Sequence, residues 1–540
     1  MLASVAFTAS TIDTITLQQR DGRPLAFVDA TGRERIFHGT NVIVKGPPWT
    51  PDSRTFSSDI SMTAEDFAWM QRMGMNVMRL GVMWPGVEPL RGHYNETYLD
   101  EIERVAELAR DAGVFTLLDM HQDGLSEYFC GEGIPPWAVK PPSGGLLSQA
   151  FPAPFDTLRD DDYYTESRLG GSPRLPTRDA CKHHKTGPGH MEFTEAAAEA
   201  YDGLYSNWNG VGDAWAAAWA KVAARFIGKP HILGIELLNE PFAGNPYRNP
   251  LIMLPYPSPF SADRVNLQPA YDRVVAAVRA VNPNVLIFFA GVTWDDLGAG
   301  FSAPPGGDEQ ANRSVLAYHY YASVNRAPAP QIEAQVHSAV RLRTAAFLTE
   351  TSNPGTTGAT HFSTIGGVGD VADARLQSWA GFEWKRFCRE EPVPNNTSQF
   401  GSFGACKTGD GRESFMGEGG RAPTPSVQWN ATRTYAMAIA GQAISMYFNF
   451  SSAAFDLQYD ASGLPSSAST DIFVWPARYP GGASVHATAG ATSMLVEYDG
   501  RSNSVKVRPE RTLTAGTRVV ISISKKVAMD DTARLTVLTY

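Results

Sequence analysis

Two glutamates at the ends of apolar runs set the chemistry open to this chain. Residues 232–241 read Ile-Leu-Gly-Ile-Glu-Leu-Leu-Asn-Glu-Pro. The run has the character of a strand buried on both faces, and Pro241 biases Glu240 away from helix, so Glu240 is expected at the strand's end. Glu350 closes a second such run, Phe-Leu-Thr-Glu-Thr. Two carboxyl groups facing each other across a cleft divide glycoside cleavage between them. One stays protonated and assists the leaving oxygen, while the other attacks the anomeric carbon. Other polar residues collect at similar places: Lys45, Arg79, His121, Asp123, Asn239, His319 and Tyr321. Taken singly, each has an ordinary explanation as an ion-pair partner, a core histidine or a solvated charge. Their coincidence at successive strand ends argues for one site.

The elements that would carry them alternate. Strand candidates lie at 36–44, 76–80, 115–120, 232–238, 285–290, 314–319, 346–348 and 378–382. Helical spacing of apolar residues fills 64–73, 99–112, 212–226 and 267–281. Eight such units predict an α/β fold, a parallel (β/α)8 TIM barrel with its polar residues at the C-terminal mouth. An open doubly wound sheet is the alternative, but no Gly-x-Gly-x-x-Gly follows the first strand. A hairpin is expected before the barrel, around Asp21-Gly22 and Thr31-Gly32. Long loops at 130–191 and 390–426, after strands three and eight, lack periodicity and fit covers over the mouth. From about Asn449 the pattern becomes short alternating runs broken by Gly, Pro and Asn, as in an antiparallel β-sandwich. The expected division is a barrel over 1–445 and a sandwich over 446–540.

A chain of 540 residues with 43% hydrophobic and 19% charged residues can bury a large core and is not disordered. The net charge of −10 argues against nucleic acid as the main partner. No apolar run reaches the roughly 20 residues that span a bilayer. The four cysteines fall as Cys130 with Cys181 and Cys388 with Cys406, which fits two disulfides, with free thiols nearly as good a fit. Asn-x-Ser/Thr triplets begin at Asn95, Asn312, Asn395, Asn396, Asn430 and Asn449. Together these favour a secreted or lumenal, lysosome-like setting. A monomer is expected.

The set Asn239-Glu240-Pro241, Arg79, His121, His319-x-Tyr321 and Glu350 resembles glycoside hydrolase family 5, in the retaining clan of barrel glycosidases. Residues 39–48, with Lys45, and Asp119-Met-His-Gln-Asp123, running on to Gly-Ile-Pro-Pro-Trp-Ala138, are similar to the endoglycoceramidase branch. Two further stretches are similar by pattern: Tyr205-Ser-Asn-Trp-Asn-Gly210 and Tyr435-Ala-Met-Ala-Ile-Ala-Gly441. The last strand departs from the family. Where Ser-Trp-x-x-Trp is usual, the chain has Ser378-Trp-Ala-Gly-Phe382. The end of strand five, Phe289-Ala-Gly-Val292, also lacks the acidic residue expected there.

The resemblance implies roles. Glu240 would be the acid/base and Glu350 the nucleophile, supported by Tyr321 and by Arg79, whose charge keeps Glu350 ionised. Asn239 would bind the 2-hydroxyl of the sugar. Lys45, His121 and Asp123 would grip sugar hydroxyls, and His319, Tyr205 and Phe382 join the substrate-binding set. No metal and no cofactor are implied. The implied substrate is a glycosphingolipid cleaved to an intact glycan and ceramide, with transient contact at a membrane or micelle surface. Leu125, Tyr128, Phe129, Ile134 and Trp137 would help hold the lipid side, or else simply pack the barrel rim. The rivals are a glucosylceramidase or steryl-β-glucosidase and, from another class, a non-catalytic glycolipid-binding protein.

Overall fold

In this computed structural model the described residues are 12–129, 131–141, 191–292, 298–321, 327–352, 367–385, 387, 415–416, 420–526 and 536–538. The two long loops and all four cysteines fall largely or wholly outside them.

The chain begins with an antiparallel hairpin, β1 (Thr16–Arg20) and β2 (Arg23–Val28), followed by the short β3 (Glu34–Arg35). The turn between β1 and β2 holds Gly22 at φ +65°, a conformation glycine adopts without steric cost. Eight parallel strands then close on themselves: β4 (His38–Val42), β5 (Val77–Gly81), β6 (Phe115–Asp119), β7 (Ile232–Glu236), β8 (Ile287–Ala290), β9 (Ser314–Tyr320), β10 (Ala345–Ser352) and β11 (Ser378–Phe382). All eight coincide with the expected strands to within a few residues. The four expected helices are present as Ala64–Arg72, Glu96–Asp111, Val211–Arg225 and Gln268–Val281. The first starts on a capping box between Thr63 and Asp66, and the second on Asn95, whose side chain accepts from the Tyr98 amide.

Period-two alternation sorts the barrel interior into layers. Val77, Phe115, Leu117, Phe288, Val315, Ala317, Phe347 and Ala380 form one buried apolar cluster in the lower barrel. Continuing each strand by two residues brings Arg79, Asp119, His319 and Phe382 to the upper layer. One strand breaks this rule usefully. Strict alternation from Phe347 would carry Glu350 to the outer face, but β10 shifts register against both neighbours between Leu348 and Thr351. The extra residue turns Glu350 inward.

The sandwich consists of β12 (Tyr435–Ile439), β13 (Gly441–Phe448), β14 (Phe455–Ala461), β15 (Thr470–Phe473), β16 (Ala483–Thr488), β17 (Met494–Asp499), β18 (Ser504–Pro509), β19 (Arg518–Lys525) and β20 (Thr536–Leu538). Its two sheets run β1-β2-β3-β12-β15-β18-β17 and β13-β14-β19-β16-β20. Leu457, Tyr459, Val519, Ile521 and Ile523 supply alternate buried residues between them. The expected boundary at 445/446 falls inside β13, and the N-terminal strands pair into the sandwich, Glu34 opposite Ile439. The same hairpin also plugs the barrel floor. Phe27 packs against Phe37 at 5.5 Å and Phe347 at 6.1 Å, edge to face. His38, which opens β4, faces outward and stacks on Tyr435 at 3.6 Å.

Candidate active site

Arg79 is the hub of the upper layer and is fully buried. Its guanidinium donates to both oxygens of Glu236 at 2.8 and 2.9 Å, to Asn41 at 2.9 Å, to Asn239 at 2.8 Å and to Glu350 Oε1 at 2.7 Å. Asp119 lies 3.0 Å away. Burial opposes its charge, but Asp119, Glu236 and Glu350 outweigh that and raise its pKa further. A rigid fork suits this many acceptors in a way an ammonium would not.

Glu350 accepts a second hydrogen bond, from the Tyr321 hydroxyl at 2.7 Å. Burial alone would push this carboxyl up. His319, Arg79, His121 and the Tyr321 hydrogen bond overcome it and bring the pKa down to about 2. It is therefore an ionised carboxylate held in place by donors, the form a nucleophile requires.

Glu240 is arranged differently. It lies beyond the end of β7, on a turn, with φ at +37°, and a quarter of its side chain is exposed. A non-glycine residue there stores backbone strain, and the surroundings hold it. The Gln122 amide donates to the backbone oxygens of Asn239 (2.8 Å) and Glu240 (2.6 Å). Gln122 is oriented in turn by the Leu125 amide and the Tyr201 hydroxyl. The Glu240 carboxylate meets His319 Nδ1 at 2.7 Å. An oxygen of Glu240, a ring nitrogen of His319 and an oxygen of Glu350 all lie within 4.8 Å of one another. Such closeness suits a double displacement, because an inverting pair needs a wider gap for water.

Beside this pair runs a second cluster. His121 Nδ1 bonds Asp119 at 2.9 Å, and its Nε2 lies 3.5 Å from Asp123. Burial disfavours its charge, but Asp119 and Asp123 raise His121 to about 10. Lys45 pairs directly with Asp123 and lies 3.7 Å from the buried Glu132. Burial is again overcome at Asp123, which Lys45 and His121 hold well below the usual range. Glu132 goes the other way, raised by burial and by Asp123. Phe382 flanks the cluster, with Lys45 5.1 Å from its ring centre and His121 stacked at 6.2 Å.

Ten of the eleven expected residues thus meet on one face of the barrel. The exception is Tyr205. It is buried in the core and its hydroxyl donates to the Phe242 carbonyl at 2.8 Å, so it props the loop after Glu240 from beneath. Asn239 is also largely committed, accepting from Arg79 and donating to the Gln122 carbonyl at 2.9 Å. Trp379 and Trp384 do not reach the cleft; both are buried, and the Trp384 indole donates to Asp66. The proposed lipid-side residues need a correction. Leu125, Phe129 and Ile134 are buried in the barrel's outer core and Tyr128 and Trp137 are partly buried against it, because the loop folds down under the rim.

Sequence reasoning missed Glu236, Asn41 as an Arg79 ligand, and Gln122. For Glu236 a signal existed: a glutamate inside the apolar run Ile-Leu-Gly-Ile-Glu needs a buried cation. Beside the end of β8, which lacks the expected acidic residue, stands the buried Asp263 of a neighbouring segment. It accepts from the Val292 amide at 2.8 Å and the Gly300 amide at 2.6 Å.

A parallel barrel carrying a donor-locked carboxylate and a second carboxyl within a few ångströms defines the class as a barrel glycosidase. The comparisons agree. The cellulase (glycosyl hydrolase family 5) profile matches residues 28–154 and 182–387, and the glycoside hydrolase family 5 C-terminal domain matches 433–523. This chain belongs to glycosyl hydrolase family 5. It is 38% identical over 503 residues to an endoglycoceramidase of Cyanea nozakii, covering 92% of each chain. It is 36% identical over 448 residues to an endoglycoceramidase of Hydra vulgaris, covering 83% of this chain and 78% of that one. Among solved structures, endo-glycoceramidase II from Rhodococcus sp. in complex with ganglioside GM3 superposes with a TM-score of 0.63 at 20% identity. That match covers 93% of this chain and all (100%) of the other.

Proposed function

We propose that this protein is a retaining endo-β-glycosidase that hydrolyses the bond between glycan and ceramide in glycosphingolipids. The observation that carries the substrate class is the 38% identity to an endoglycoceramidase across 92% of both chains. The geometry supports the following mechanism. Glu350, ionised and aimed by Arg79 and Tyr321, attacks the anomeric carbon while Glu240 gives its proton to the departing ceramide oxygen. A covalent glycosyl-enzyme results. Glu240, now a carboxylate beside His319, takes a proton from water as that water releases the glycan with net retention. In this reading Lys45, His121, Asp123 and Phe382 take the sugar side, and Asn239 is assigned the 2-hydroxyl. The reading includes a monomer that touches a membrane or micelle transiently, in a secreted or lumenal setting. The exposed sequon residues Asn95 and Asn312 are compatible with that setting.

Mass spectrometry of products from a panel of glycosphingolipids tests the proposal. Intact oligosaccharide plus ceramide, lost in Glu350→Gln, is the expected result. A preference for glucosylceramide over lactosylceramide or gangliosides would sink the endo assignment. Unchanged hydrolysis by purified Glu350→Gln would remove the catalytic assignment altogether.

A further inference from the structure

We infer that residues 247–265, on the loop that leaves the Glu240 turn, form the surface by which this protein docks on a lipid bilayer. The inference rests on the proposed membrane-lipid substrate for its purpose, but the surface itself is read from its own chemistry. Residues 249–262, Asn-Pro-Leu-Ile-Met-Leu-Pro-Tyr-Pro-Ser-Pro-Phe-Ser-Ala, contain no Asp, Glu, Lys or Arg in a chain that is 19% charged. Surface loops are ordinarily polar. Here Leu251 is 47% exposed, Leu254 44% and Phe260 51%, and Tyr247 and Val265 are also exposed. Apolar residues expected on the lipid side at 125–137 are covered, whereas several large apolar side chains of this loop face out.

The exposure belongs to an anchored loop. Ile252 is buried in the barrel's outer core, the Asn249 side chain caps the Leu251 amide, and Asn266 donates to the Ala243 carbonyl at 2.6 Å. Arg341 sits 4.8 Å from the Tyr256 ring. Pro246, Pro250, Pro255, Pro257 and Pro259 fix the backbone and remove five N–H donors. Fewer unpaired donors lower the cost of taking backbone into the headgroup region.

Charge and position choose the occupant. The exposed Arg248 and Arg264 flank the apolar stretch, and Arg248 is shared with Glu199 and Asp202. The carboxyl within the segment, Asp263, is buried and bonded to backbone amides. With Arg264 exposed beside the leucines and the aromatic ring, and no exposed carboxyl within the segment, the patch fits a phosphate-bearing lipid surface. The loop starts immediately after Glu240-Pro241. Docking there would bring the acid/base to the depth at which a glycolipid's sugar meets its lipid.

The test uses the triple variant Leu251→Ser, Leu254→Ser, Phe260→Ser in the full chain. Four measurements are made: co-sedimentation with phosphatidylcholine vesicles with and without phosphatidylserine, turnover of a soluble aryl lactoside, turnover of vesicle-embedded lactosylceramide, and mass by light scattering. The variant should keep soluble turnover within about twofold and lose vesicle binding and vesicle-borne turnover by more than about tenfold, since three apolar anchors leave the interface. Vesicle binding by the variant equal to wild type overturns the inference, as does a wild type that binds no vesicles. A wild-type dimer that the triple variant dissociates also overturns it, because the patch then covers a second copy of this chain. Vesicle binding that depends on the three residues, with no lactosylceramide cleavage by wild type, upholds the surface and rejects the substrate reading.

Discussion

Glu350 stands on a strand, 4% exposed, turned inward by a register shift and held by donors from Arg79 and Tyr321. Glu240 stands on a turn at φ +37°, with a quarter of its side chain exposed and an imidazole beside it. The two carboxyls are close, and the proposed mechanism gives them different duties. A nucleophile must stay ionised and aimed, which fixed donors on a rigid strand provide. An acid/base must gain and lose a proton within one cycle, so contact with solvent and a titratable neighbour serves it better.

Substitutions can break that contrast, and the largest effect should come from the nucleophile. Glu350→Gln should lower kcat by at least about 10⁴-fold on every substrate, because no leaving group removes the need for attack. Single-turnover assays with lactosylceramide and with a dinitrophenyl lactoside check this. Glu240→Gln should cost about 10²–10⁴-fold on glycolipid. Formation of the glycosyl-enzyme from the dinitrophenyl lactoside, whose leaving group needs no proton, should be nearly unaffected. Equal losses on both substrates would erase the distinction between the two carboxyls.

Arg79→Lys should cost about 10²-fold, since an ammonium cannot replace the fork that binds Glu236, Asn239 and Glu350 together. Weaker cationic support lets the Glu350 pKa rise from about 2, so the acidic limb of the kcat/KM profile moves to higher pH. A profile that falls in height without shifting would mean that Arg79 acts through folding alone. Gln122→Ala should have a smaller effect, about tenfold on kcat, by loosening the Glu240 turn. That loss should shrink with the activated substrate, placing Gln122 on the acid/base side.

The smallest expected effect is on stability. His121 is raised from 6.5 to about 10 in the folded protein. Its contribution is complete below pH 6.5 and is lost as pH rises toward 10, when the proton shared with Asp119 and Asp123 is released. His121→Gln should flatten the fall in melting temperature over that range. An unchanged slope would mean that the histidine is not charged in the folded state.

Much of the site is legible as strand-end chemistry. Arg79, and His319 with Tyr321, sit two residues apart from buried apolar neighbours, so period two alone points them inward. Glu350 does not follow from alternation, because the shift that turns it is a property of three paired strands. Tyr205 looks like a binding tyrosine in sequence, and only packing shows its hydroxyl spent on Phe242. Leu125, Phe129 and Ile134 looked like a lipid surface for a related reason. An apolar side chain reads the same whether a rim covers it or solvent meets it.

Local patterning by itself determined the eight-strand barrel, the change to short alternating strands near the C-terminus, and the two carboxylates. These depend on hydrophobic period and on residue types at strand ends, which neighbours along the chain encode. Tertiary structure decided that β1–β3 complete the sandwich while Phe27 plugs the barrel floor. It decided that Arg79 spans Glu236 and Glu350, that Gln122 holds the Glu240 turn, and that the apolar side chains of 247–265 are left exposed. Each of these rests on groups far apart in sequence meeting where water is excluded, and no local period records such a meeting.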